Sequence, residues 1–172
     1  MLRLLILMGL LILNLSVYAT VIEGSVPPDF HLTDQFGSSH QLKDYHGTWL
    51  LIYFYPKDGT KGCTLEAERF RDLYPVLQSH HLNIIGISED STEAHAHFAH
   101  ALQLPFPILV DSTGQVARHY GVLNNLIITR FASRQSFLIN PAGILVRHYA
   151  HVDPATHATQ VLHDVVRLQG GH

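Results

Sequence analysis

Seven consecutive apolar residues, Trp49-Leu50-Leu51-Ile52-Tyr53-Phe54-Tyr55, run into Pro56, and nothing else in the chain restricts its fold as tightly. A strand with one face in water alternates apolar and polar side chains, whereas an unbroken apolar strand has both faces covered. Leu82-Asn83-Ile84-Ile85-Gly86-Ile87-Ser88 repeats the pattern. Between the two, Leu65, Phe70, Leu73, Val76 and Leu77 fall near helical spacing, which predicts a helix over 65–77. Pro75 is expected to cap, kink or end that helix. Strand, helix and strand in this order describe a parallel pair with a helix across one face.

The remainder extends the alternation. Ser91 or Thr92 is the expected N-cap of a helix reaching Gln103. Pro105 to Asp111 reads as a shorter strand. Ser136–Ile139, the turn Asn140-Pro141-Ala142-Gly143 and Ile144–Val146 read as a hairpin. Asp153-Pro154 is expected to open a last helix with Val161, Leu162, Val165, Val166 and Leu168 inward, ended by Gly170-Gly171. With 172 residues, 47% of them apolar, the chain has enough to bury for one α/β domain around a partly parallel sheet. There is no internal repeat or low-complexity linker.

Residues 1–19 stand apart. Arg3 precedes an apolar run from Leu4 to Leu13, and Val17-Tyr18-Ala19 places small residues as a secretory signal does. The run falls short of the ~20 apolar residues a bilayer crossing needs, so cleavage after Ala19 is expected, with an uncleaved anchor as the rival. The mature domain is then 20–172, exported, with the bacterial periplasm as its expected compartment. A net charge of -3 with no basic run argues against a nucleic-acid partner.

Export gives weight to the one cysteine, Cys63. It excludes an internal disulfide and an all-Cys metal site, and in an oxidising compartment an unpaired thiol is either incidental or employed. Tyr55-Pro56-Lys57-Asp58-Gly59-Thr60-Lys61-Gly62-Cys63-Thr64-Leu65-Glu66 sets it in the first turn of a helix, after a glycine-containing loop. Free N–H groups and the positive end of the helix dipole stabilise a thiolate there. A buried inert cysteine is the alternative; its usual place is inside an apolar run. The Thr60 hydroxyl lies near enough in sequence to reach the same pocket.

These residues resemble a peroxiredoxin of the bacterioferritin-comigratory-protein (peroxiredoxin Q) group. Pro56, Thr60 and Cys63 meet the pattern Pro-x-x-x-Thr-x-x-Cys, within a Phe-Tyr-Pro-Lys-Asp…Gly-Cys-Thr-x-Glu-Ala context. Pro27–Phe30, Asp34–Gly47, Phe106–Asp111, Tyr120-Gly121-Val122 and Arg134–Ile139 are similar to the family's other blocks. The resemblance implies a single thioredoxin-like domain, a central mixed sheet flanked by helices. It implies a thiol-dependent peroxidase acting on hydrogen peroxide and organic hydroperoxides in antioxidant defence, without a cofactor or metal. Cys63 is then the nucleophile, Arg134 activates it and binds peroxide oxygens, Thr60 orients the peroxide, Pro56 shields the thiolate and Glu66 holds the arginine. Without the resemblance Arg134 is a solvated strand-end charge, with Arg130 a neighbouring alternative. Glu66 is equally a solvated first-turn carboxylate, and Thr60 and Pro56 are ordinary turn and strand-end residues.

Two departures from the family pattern stand out. Lys61 occupies a usual proline position, and Glu68 stands where many members carry a resolving cysteine. A one-cysteine cycle completed by an outside thiol, a thioredoxin-like protein or a small thiol, is therefore expected, in a monomer or weak homodimer. Two alternatives remain. The 14 histidines suit an exported zinc or copper binder, although on the second predicted helix only His97 and His100 are spaced to act together; otherwise they are surface residues. A thiol:disulfide exchanger has the same fold but needs Cys-x-x-Cys, and here residue 60 is Thr60.

Overall fold

The computed structural model describes residues 21–126 and 129–170. Residues 1–19, where a signal segment is expected, lie outside them, as does Gly171. A short hairpin, β1 (His31–Thr33) and β2 (Ser39–Gln41), opens the described chain, and β3 (Trp49–Phe54) follows. Every residue of β3 is buried, as its composition requires. Next come α1 (Lys61–Ser79), β4 (Leu82–Ser88), α2 (Thr92–Leu102), β5 (Ile108–Val110) and the short α3 (Gln115–His119). The hairpin β6 (Leu123–Asn125) and β7 (Arg130–Ala132) leads to β8 (Gln135–Ile139), β9 (Leu145–Tyr149) and α4 (His157–Gln169).

The central sheet has the order β5-β4-β3-β8-β9. β3 runs parallel to β4 and β4 to β5, while β8 is antiparallel to both β3 and β9. The architecture is thioredoxin-like α/β. Strand β3 separates two apolar layers. Trp49, Leu51, Tyr53 and Tyr55 face Phe70, Leu77, Phe98, Val161 and Val165 on one side. Leu50, Ile52 and Phe54 face Val116, Ala117 and Tyr120 on the other. The period of two along the strand thus makes two half-cores.

Three expectations need correction. Helix α1 starts at Lys61 and passes through Pro75 to Ser79. Pro75 is on the solvent side, and the turn beyond it is retained because Leu77 is fully buried. Asp153-Pro154 form a turn before the helix: the Asp153 carboxylate accepts from the Ala155 N–H at 3.0 Å, and α4 starts at His157. Val166 is exposed, because the inward stripe is Val161 and Val165, four apart, and Val166 lies about 100° round from Val165. Among the described residues no helix is long and apolar enough to cross a membrane.

Candidate active site

The loop after β3 places the thiol. Tyr55 still bonds into the sheet through its N–H to the Ile87 carbonyl (3.2 Å). Half-buried Pro56 then ends the strand, and Gly59 turns the chain at φ +71°, where glycine is favoured. Thr60 is the extended N-cap, its carbonyl accepting the first helical bond from the Thr64 N–H at 2.8 Å. Cys63 thus occupies the first turn of α1 and is 2% exposed.

Arg134 arrives from the far end of the chain. In the antiparallel β3–β8 pairing Phe54 stands opposite Gln135, so the residue before Gln135 lies beside the loop that leaves β3. From there Nη2 of Arg134 donates to the Cys63 sulfur at 3.2 Å, and Nη1 donates to the Glu66 carboxylate. Glu66, three residues after Cys63 on α1, is buried, and its other oxygen has no partner. Burial pushes the Glu66 carboxyl up to about 7 against the downward pull of Arg134. Burial opposes the Arg134 charge, but Glu66 and the Cys63 sulfur outweigh it and hold the guanidinium above its ordinary range.

The structure therefore gathers Cys63, Arg134 and Glu66. Arg130 is engaged elsewhere, donating to Glu89 (2.6 Å) and to the Ser112 carbonyl (2.9 Å). Thr60 is exposed and its hydroxyl donates to the Lys57 carbonyl at 3.1 Å. Sequence reasoning passed over Gly62. A Cβ there would lie 3.0 Å from Arg134 Nη2 and 3.6 Å from Cζ, so the missing side chain is what lets the guanidinium cross the helix start. Gly62→Ala is expected to push it a few tenths of an ångström and to slow reaction with peroxide by about tenfold. Alanine's helix preference should meanwhile hold or raise stability, by up to about 1 kcal/mol. Stopped-flow rates beside thermal melts check this; an unchanged rate would show that the arginine tolerates the displacement.

The expectation of surface histidines also fails at His95 and His157, both fully buried. The missed signal for His95 was its phase: His95, Phe98, Ala99 and Leu102 form one helical stripe. His157 packs edge-on against Phe70 and Tyr149, with Nε2 2.9 Å from the Ser136 hydroxyl. Burial, and secondarily the Arg134 charge, push it down to about 4 from the ordinary 6.5. Between those values the unfolded chain takes up a proton that the native state refuses, so this stability is lost as pH falls from 6.5 to 4, by about 3 kcal/mol in all. Glu66 acts with the opposite sign between 4.5 and 7. It is present in both proteins, so comparing wild type with His157→Phe isolates the histidine. The change in urea midpoint from pH 7 to pH 4.5 is expected to be more favourable in the variant than in wild type; the same change in both would show that His157 carries no acid sensitivity.

Among the described residues one group of three has metal-binding potential, Asp58, Asp90 and His95. Its atoms are already engaged: Tyr55 and His95 contact the two Asp58 oxygens, and the Ser88 hydroxyl and the Asp58 N–H donate to Asp90. His97 and His100 are outside this group, and both are exposed.

Known proteins resemble this chain over most of its length. Residues 24–148 match the AhpC/TSA family. The chain is 36% identical over 148 residues to the chloroplastic peroxiredoxin Q of Sedum lineare, covering 86% of this chain and 79% of that protein. It is 35% identical over 147 residues to peroxiredoxin Bcp of Bacillus subtilis (strain 168), covering 83% and 94%. Peroxidoxin BcpB from Mycobacterium tuberculosis superposes with a TM-score of 0.79 at 29% identity, over 85% and 97% of the two chains. A cysteine-to-serine mutant of Xylella fastidiosa PrxQ gives 0.82 at 26% identity, over 88% and 99%.

Proposed function

Since the chain belongs to the AhpC/TSA family, as a peroxiredoxin of the Q/Bcp type and a thiol-dependent peroxidase, we propose that it reduces hydrogen peroxide and organic hydroperoxides by a one-cysteine cycle. The carrying observation is that the only thiol of the chain sits at a helix start with a guanidinium donating to it at 3.2 Å. Cys63 as thiolate attacks the terminal peroxide oxygen and the O–O bond breaks. The departing oxygen takes a proton and leaves as alcohol or water, and the sulfur, oxidised by two electrons, becomes sulfenic acid. One external thiol displaces water to form a mixed disulfide. A second thiol displaces Cys63 and carries both electrons away as its own disulfide.

In this reading Arg134 stabilises the thiolate and then the charge growing on the departing oxygen. Glu66 aims Arg134, and Pro56 shields the sulfur. The Thr60 hydroxyl, its hydrogen given to the Lys57 carbonyl, orients the peroxide by accepting from its O–H. Glu68 occupies the position five residues on, where many relatives of this group carry a second cysteine. On an ideal helix those Cα atoms are about 8.6 Å apart, beyond the ~7 Å a disulfide tolerates. A bridge there requires unwinding; this chain has no thiol to reward it, so α1 stays formed through the cycle. The signal-like residues 1–19 support a reading of the enzyme as exported, most simply to a periplasm, as a monomer or weak homodimer. Its thiol donor is then one available there.

Intact mass spectrometry with a sulfenate trap tests the cycle. One equivalent of peroxide is expected to leave trappable sulfenic acid, or a mixed disulfide when a small thiol is present, and excess peroxide the sulfinic acid. Covalent dimers as the main product would replace the one-cysteine cycle by resolution between two chains.

A further inference from the structure

The polar cluster at Asp58 sits in the loop that leads from β3 to α1 and has no part in the chemistry above. His95 Nδ1 is 2.7 Å from one Asp58 oxygen and its Nε2 is 3.2 Å from the Leu109 carbonyl. The side chains are 0% and 9% exposed. A carbonyl only accepts, so Nε2 carries a hydrogen, and the Nδ1–carboxylate contact then needs a proton of its own between the two groups. The other Asp58 oxygen accepts from the Tyr55 hydroxyl at 2.8 Å. The Asp58 N–H donates to Asp90 (3.0 Å), which is itself held by the Ser88 hydroxyl (2.8 Å). The loop between β3 and α1 is thus pinned at one residue, by side chain and by backbone, to β4, α2 and β5.

Burying such groups is costly unless each is satisfied. Around His95 the inner face of α2 is otherwise apolar, with Phe98 and Ala99. What the cluster holds is the short span Asp58–Thr60, which ends in the cap of the helix carrying Cys63. We propose that His95 is a positioning residue for Cys63. Acting through Asp58, it fixes the loop so that the first turn of α1 keeps the sulfur within reach of Arg134. This rests on the reading of Cys63 as the peroxide-reactive thiol.

Three substitutions separate this from plain structural support. In His95→Asn the amide nitrogen takes the place of Nδ1 and still donates to Asp58. In His95→Gln it takes the place of Nε2 and donates only to the Leu109 carbonyl, and His95→Phe keeps volume alone. Stopped-flow rates with hydrogen peroxide are read beside thermal melts. His95→Asn is expected to stay within about threefold of wild type while His95→Gln and His95→Phe lose about tenfold or more, whatever the order of the melting temperatures. Asp58→Ala reads the link from the loop side, should the helix variants fold poorly. It is expected to lose as much, and Asp58→Ala/His95→Gln no more than either alone. Equal losses in His95→Asn and His95→Gln, or an active Asp58→Ala, overturn the proposal. A wild-type protein inert to peroxide instead sinks the reading of Cys63 on which it rests.

Discussion

Replacing Cys63 by serine is expected to lower peroxide consumption on the order of 10⁴-fold or more, with any thiol donor. The serine hydroxyl occupies nearly the same space at a position 2% exposed, and Arg134 still has an oxygen to donate to, so the fold should survive. The nucleophile is what disappears. A serine hydroxyl is not ionised near neutral pH, and the neighbouring Glu66 carboxylate is paired with Arg134. Consumption of hydrogen peroxide followed with a panel of thiol donors is the measurement, with a melt to show that the variant is folded. Comparable turnover in a folded Cys63→Ser protein would remove the peroxidase activity from this site.

The second largest effect is expected from Arg134→Gln, a fall of about 10²–10³-fold in the rate of the peroxide step. Arg134 donates to the sulfur directly and, in the proposed cycle, is the cation beside which charge grows on the departing oxygen. Glutamine retains some hydrogen-bonding capacity and removes the charge. Glu66, already pushed up to about 7 by burial, then takes up a proton more readily, so the fold does not collapse around an unpaired carboxylate. Iodoacetamide alkylation of Cys63 should slow as well, because the cation facing the sulfur is gone. Arg130→Gln serves as the comparison: it breaks the contacts to Glu89 and Ser112 and is expected to change the peroxide rate by less than about threefold. Equal effects of the two would leave the helix start as the sole source of activation.

Much of this was legible without coordinates. Segments 49–54 and 82–88 announce themselves because burial on both faces leaves no room for alternation, and they are observed as β3 and β4. The hairpin turn at 140–143 is written in Asn-Pro-Ala-Gly. Cys63 at a helix start follows from a Pro- and Gly-containing loop meeting a helical stripe, and the ordered motif around it carries the family resemblance. These are local properties: backbone preference and the period of apolar residues act over a few positions.

Tertiary structure decided which polar residues meet. Arg134 and Cys63 are 71 residues apart, and the β3–β8 register, with Phe54 opposite Gln135, brings the arginine to the thiol, while Arg130 in β7 meets Glu89. The same holds for His95 and Asp58, 37 apart, and for the gap that Gly62 leaves for a guanidinium. Pro75 stays within a helix because Leu77 beyond it fills the core. The reason is common to all of them. An apolar residue is buried by any apolar neighbour, so its fate is readable from pattern alone. A charged or polar side chain is buried only where a particular partner stands within about 3 Å, and that partner is chosen by the fold.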